Sequence, residues 1–89
     1  MVVIGIDAHM RSHTAVAVDG GTGRQLAELT VAADEIGHRR LLEFAAGLGE
    51  EREWAIEDCR NLSRHFEKAL LRAGERVIRF CPMFCVRSG

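Results

Sequence analysis

The hydrophobic positions along the chain change their period several times, and each change marks an element. Val2-Val3-Ile4-Gly5-Ile6 is a continuous apolar, β-branched run, the signature of a strand covered on both faces. Thr14-Ala15-Val16-Ala17-Val18-Asp19 predicts a second strand. Gly20-Gly21-Thr22-Gly23 follows, with glycines to supply the positive φ angles of a hairpin loop. Gln25 to Val31 predicts a third strand with one polar interruption at Glu28, so the first three strands read as an antiparallel meander.

After Asp34 the spacing becomes helical. Leu41, Phe44, Ala45 and Leu48 fall on one face at i, i+3, i+4 and i+7. Asp34 is positioned to cap the start of this helix and Gly49 to stop it. Glu50-Glu51-Arg52 reads as a solvated connection. Trp54 and Ile56 then alternate with Glu53 and Glu57 in a fourth strand. Asn61 is the expected cap of a second helix carrying Leu62, Phe66, Ala69, Leu70 and Ala73, which Gly74 ends. Val77-Ile78-Arg79-Phe80 forms a short fifth strand. The order β-β-β-α-β-α-β, with right-handed crossovers, sets strand four parallel to strand one.

Eighty-nine residues, 47% hydrophobic and 28% charged, describe one small globular domain of thin stability margin, which buries roughly two-thirds of its unfolded surface. No apolar run approaches the ~20 residues of a membrane span, and Asp7 interrupts the start too early for a signal peptide; the cytoplasm is the expected location. The net charge of −1 gives the chain as a whole no electrostatic footprint for nucleic acid. Eleven of the twelve basic residues are Arg, a bias we attribute first to GC-rich coding. Cys59, Cys81 and Cys85 are an odd number without a secretory context, so no disulfide framework is expected. With His65 they number four zinc-type ligands, but the spacing matches no common zinc signature.

The chemistry concentrates in two acids. Asp7 closes the first strand and Glu57 the fourth. If these strands are parallel neighbours, both carboxylates emerge at the carboxyl-end rim of the sheet, where ligands of such sheets collect. Paired carboxylates suit Mg²⁺ with substrate phosphate oxygens, the basis of metal-assisted phosphodiester cleavage. The plainer reading of each is a solvated strand-end acid. Asp19, ahead of two glycines, reads as a turn acid, and Asp58 should face away from Glu57. His9, two residues beyond Asp7, is within range of a substrate phosphate. His13 begins the second strand, and His38 and His65 fall on helices where solvent exposure is the default.

The ordered segments Val3-Ile4-Gly5-Ile6-Asp7-Ala8-His9, Thr14-Ala15-Val16-Ala17-Val18 and Trp54-Ala55-Ile56-Glu57-Asp58-Cys59 resemble the amino-terminal domain of the insertion-sequence one-ten family, the DEDD transposases or bridge-RNA-guided recombinases. The resemblance spans roughly residues 2 to 80. It implies an α/β, ribonuclease-H-like fold of the RuvC kind, with a mixed five-stranded sheet. It further implies Mg²⁺ held by four acids, of which Asp7 and Glu57 match the first two, and a serine in a separate carboxy-terminal domain. DNA is the implied partner, with a guide RNA and other transposase protomers. The chain departs from the family at Met10, where a Lys is usual, and in residues 81–89, which keep only the family's proline. We therefore expect residues 1–80 to be the amino-terminal part of the nuclease domain. We expect 81–89 to be an aberrant tail left by truncation or frameshift, and the isolated chain to lack turnover. Two alternatives stand beside this reading. One is a non-catalytic remnant that pairs with full-length transposase through an open sheet edge. The other is an actin-like or sugar-kinase nucleotide-binding lobe, for which Ala8-His9-Met10-Arg11 makes a poor phosphate cradle.

Overall fold

The computed structural model describes residues 1–57 and 63–80; the side chain of Phe80 is not among the described features. Five strands and two helices follow in the expected order: β1 (Val2–Ala8), β2 (Ser12–Asp19), β3 (Gln25–Ala32), α1 (Glu35–Ala46), β4 (Arg52–Glu57), α2 (Arg64–Arg72) and β5 (Val77–Phe80). They form one mixed sheet in the order β3-β2-β1-β4-β5. β1 pairs antiparallel with β2 and parallel with β4, β2 pairs antiparallel with β3, and β4 pairs parallel with β5.

Alternation along the strands sorts the sheet into two unlike faces. Ile4 and Ile6 of β1, Ala15 and Ala17 of β2, Val31 of β3, and Trp54 and Ile56 of β4 share one face, where they are buried with Leu41 and Ala45 of α1 and Phe66 and Leu70 of α2. Both helices therefore cover this face. The other face carries Val3, Gly5, Val16, Val18 and Ala55, all only half-buried. The expectation that the first strand would be covered on both faces is thus corrected. Its β-branched run reflects strand propensity, while among the described residues one face alone meets the helices.

Trp54 sits edge-on to Phe66, ring centroids 5.4 Å apart. Its indole Nε1 donates to Glu75 Oε1 at 2.8 Å, and Arg52 donates to both oxygens of the same carboxylate, each at 2.8 Å. The Arg52 guanidinium, first, and the Trp54 N–H, second, hold the Glu75 carboxyl below its ordinary value against the opposing effect of burial. This cluster ties the start of β4 to the α2–β5 turn and satisfies the one polar atom that a buried tryptophan carries.

The turns refine several sequence expectations. Of the hairpin glycines only Gly23 has a positive φ, +76°. Gly20 and Gly21 serve differently, because Asp19 Oδ1 accepts from Gly21 N (2.7 Å) and Thr22 N (3.2 Å) and organises the loop. These two N–H groups lower the Asp19 carboxyl pKa, as expected for a turn acid. Asp34 caps α1 through Oδ1, which accepts from Gly37 N at 2.8 Å. α1 ends at Gly47 rather than Gly49, which turns the chain with φ +104° two residues later. α2 begins after Ser63; the expected Asn61 cap lies outside the described residues. Gly74, φ +80°, ends that helix region as expected.

One histidine, His38, departs from expectation. His13 is buried, and His38 lies against it rather than in solvent, the rings stacked at 5.7 Å and 12°. Both also meet Phe66, at 6.1 and 5.0 Å. The cause is helix phase: His38 lies one turn before the buried Leu41 and so faces the sheet. Desolvation, then the nearby His13, lowers the His38 pKa below its ordinary 6.5. His65 is exposed, as expected. Among the described residues no helix is long and apolar enough to cross a membrane.

Candidate metal and phosphodiester site

Asp7 is the sixth residue of β1 and Glu57 the last of β4, and the two are direct register partners of the parallel pair. Adjacent strands run about 4.8 Å apart, and partners in register project to the same side. Both carboxylates therefore stand together at one rim, on the face that the helices leave open, and both are exposed. They border a depression of about 230 Å³ that is also lined by Gly5, Ile6, Thr14, Val16 and Ala55. Its floor is low because Gly5 and Ala55, neighbours in register, raise almost no side chain.

The β1–β2 connection is tight. His9 N donates to Ser12 O at 2.9 Å, which brings the chain straight back beside β1 and sets Thr14 opposite Asp7. His9 Nε2 lies 3.1 Å from Asp7 Oδ2, with both side chains largely exposed. The structure thus brings together the three sequence-predicted residues Asp7, Glu57 and His9 at one rim, with His9 contacting a carboxylate. Asp58 and the three cysteines lie outside the described residues.

Sequence reasoning passed over Thr14 and Thr30. They are register partners on β2 and β3, their hydroxyl oxygens 2.9 Å apart, at the same level of the same face as Asp7. The available signal was the shortness of the β1–β2 turn, which fixes which β2 residue faces Asp7.

The sheet order, the antiparallel meander and the parallel β1–β4 pair define the class. The fold is ribonuclease-H-like and similar to that of RuvC. T. thermophilus RuvC in complex with a Holliday junction substrate matches with a TM-score of 0.67 at 22% identity, over 93% of this chain and 66% of that chain. The Aquifex aeolicus member of the Ppx/GppA family overlaps with a TM-score of 0.46 at 13% identity, over 92% of this chain and 35% of that one. No protein-family model and no curated protein matches the sequence. This chain thus spans 66% of the RuvC chain's length, and at this identity the likeness shows the fold.

The donor set is chemically suited to a hard divalent cation. Among the described residues it offers carboxylate oxygens, and Mg²⁺ commonly takes one or two carboxylates and completes its shell with water and substrate phosphate. Among the described residues no group of three or more His, Cys, Asp or Glu side chains gathers at metal-binding distance. Asp7 and Glu57 are carboxylates of this rim that could hold such an ion, with substrate oxygens needed to finish its shell.

Proposed function

We infer that the chain supplies part of a metal-dependent nuclease site acting on DNA phosphodiesters, with Asp7 and Glu57 as its cation-binding carboxylates. The observation that carries this reading is their direct register pairing at the carboxyl-end rim of parallel β1 and β4, on the open face. The fold supports it, since the similar RuvC is in complex with a Holliday junction substrate. Mg²⁺, when bound, would polarise a phosphoryl oxygen and lower the pKa of a bound water. Asp7 and Glu57 would hold and orient the ion, and His9 would fix one Asp7 oxygen so that the other is presented outward. The shallow floor at Gly5 and Ala55 leaves room for a sugar-phosphate backbone to reach the rim.

More specifically, we assign residues 1–80 to the amino-terminal part of a DEDD transposase domain of the insertion-sequence one-ten family, acting in DNA transposition with other protomers and a guide RNA. The segments around Asp7, Thr14 and Trp54–Glu57 carry that assignment. Two carboxylates are half of the family's acid set, so the isolated chain should bind a divalent cation without turning over DNA.

Isothermal calorimetry with Mn²⁺, a spectroscopically useful substitute for Mg²⁺, tests the reading. The parent chain should bind weakly, with a dissociation constant on the order of 10⁻⁴–10⁻³ M, as for weakly held oxygen-ligated cations. Asp7→Asn and Glu57→Gln should each abolish the heat of binding while leaving the circular dichroism spectrum intact. Unchanged Mn²⁺ binding in both variants overturns the assignment.

A further inference from the structure

The rim holds more than two acids. Across four adjacent strands the register runs Glu57, Asp7, Thr14, Thr30, a single row of oxygen-bearing side chains on the open face. At about 4.8 Å per strand the row is about 14 Å long. Thr14 lines the same depression as the two carboxylates, and Thr30 is exposed beyond it. In the Thr14–Thr30 pair, one hydroxyl proton is used in the mutual 2.9 Å bond. The other remains to donate outward, because each threonine hydroxyl carries one proton.

The surroundings give the row a direction. On the β3 side the rim is flanked by an arginine. Arg11 is exposed in the β1–β2 turn, and its carbonyl accepts from Ala33 N at 2.9 Å, which seats that turn beside the end of β3. On the β5 side the same face carries Ile78, 49% exposed and apolar, beside Ala55 and below the level of Glu57. One register step below Thr14 and Thr30, Val16 and the exposed Glu28 form the next pair on this face. An anion is therefore favoured at the hydroxyls and disfavoured lower down the sheet.

We propose that Thr14 and Thr30 bind a backbone phosphate of the nucleic-acid strand next to the one presented to Asp7 and Glu57. The strand then crosses the open face from β4 toward β3, perpendicular to the β-strands, with Arg11 above it. The proposal rests on the nuclease reading and adds to it the path of the substrate and two substrate-positioning residues. Neutral hydroxyls suit this place, because they receive a phosphate beside two carboxylates without adding a charge that would pair with those carboxylates.

The test uses the full chain, a labelled 20-base-pair DNA duplex in Mg²⁺ followed by fluorescence anisotropy, Mn²⁺ calorimetry and urea denaturation. The Thr14→Val/Thr30→Val double variant keeps side-chain shape and strand propensity and removes both hydroxyls. It should weaken DNA binding by about tenfold, the scale of one lost hydrogen bond to a charged group. Mn²⁺ binding and the denaturation midpoint should stay at parental values. Thr14→Ser/Thr30→Ser, which keeps the hydroxyls, should restore parental affinity, and Thr30→Val alone, at the exposed end, should show part of the loss. Parental DNA affinity in the valine variants, with Mn²⁺ binding intact, overturns the phosphate track and leaves the cation site standing. Absence of DNA binding by the parent chain overturns the track as well. Absence of Mn²⁺ binding by the parent sinks the nuclease reading beneath it.

Discussion

Gly37→Ala isolates how closely α1 is seated on the sheet. A Cβ built on Gly37 falls 1.8 Å from the carbonyl oxygen of Ala32, 2.9 Å from its carbon and 3.2 Å from its nitrogen. A carbon–oxygen contact needs about 3.3 Å, so the first turn of α1 must retreat from the end of β3 by about 1.5 Å. The obstruction is backbone, which cannot swing aside as a long side chain would. The retreat also lifts Leu41 and Ala45 from the core they complete. Overpacking of this kind costs about 1–3 kcal/mol and occasionally more, and a backbone clash belongs at the upper end. Helix propensity returns up to about 1 kcal/mol when alanine replaces glycine. The net loss is therefore about 2 kcal/mol or more, from a total of about 4–13 kcal/mol expected at this length. Trp54 reports unfolding cleanly, being the sole tryptophan and fully buried against Phe66. With a urea m-value near 1 kcal/mol/M for a small domain, the midpoint should fall by about 2 M with the slope unchanged. Gly5→Ala is the matched control. Its Cβ would meet only Val16 O, at 3.8 Å, so stability should hold or rise by up to about 1 kcal/mol, which moves the midpoint up by at most about 1 M. A Gly37→Ala midpoint equal to or above that of the parent refutes the argument.

Three further outcomes follow from the packing. Glu75→Ala strips the carboxylate from Arg52 and Trp54 Nε1 together; it should cost about 2–3 kcal/mol, somewhat less than a fully buried pair, and Trp54 emission should shift, whereas an unmoved urea midpoint contradicts the cluster's role. Phe66→Ala removes the ring that meets Trp54, His13 and His38, and about 3–5 kcal/mol should be lost in thermal or urea melts. For acid stability, the His38 pKa is lowered in the fold, so the unfolded chain binds the proton more readily. Its contribution is complete above the ordinary value of 6.5 and is lost as pH falls from there through the folded value. Asp34 and Glu35 favour the charged ring while His13 and His65 oppose it. Urea midpoints should therefore decline from pH 7 to pH 5 more steeply in the parent than in His38→Leu, and parallel profiles would contradict the buried placement.

Local signals in the sequence were sufficient wherever the physics is local. The shift from period 2 to period 3.6 near Asp34 located α1, and Asp34 caps it through Gly37 N. Alternation around Trp54 and Ile56 picked out β4 and its buried face. Asp19 was legible as a turn acid because its partners, Gly21 and Thr22, are its own neighbours. Asp7 and Glu57 stood out as acids closing apolar strands, and the crossover rule was enough to predict that those strands run parallel.

What the chain alone left undetermined depends on atoms far apart in sequence. Which side of β1 would be covered was not written in Val2–Ile6, because an apolar strand is compatible with one packed face or two; the docking of both helices on the Ile4–Ile6 side decided it. Helix phase turned His38 toward His13 and Phe66, against the default of exposure for a helical histidine. Glu75 gained its role only when the α2–β5 turn met the start of β4, 21 residues away from Trp54. Thr14 and Thr30 joined the Asp7 row only through strand register, which turn geometry sets and composition does not. Sequence thus determined the elements and the two acids, since propensity, capping and period act over a few residues. The open face, the polar row and the stacked histidine pair were decided by tertiary structure, since each arises from packing between segments that no local pattern can see.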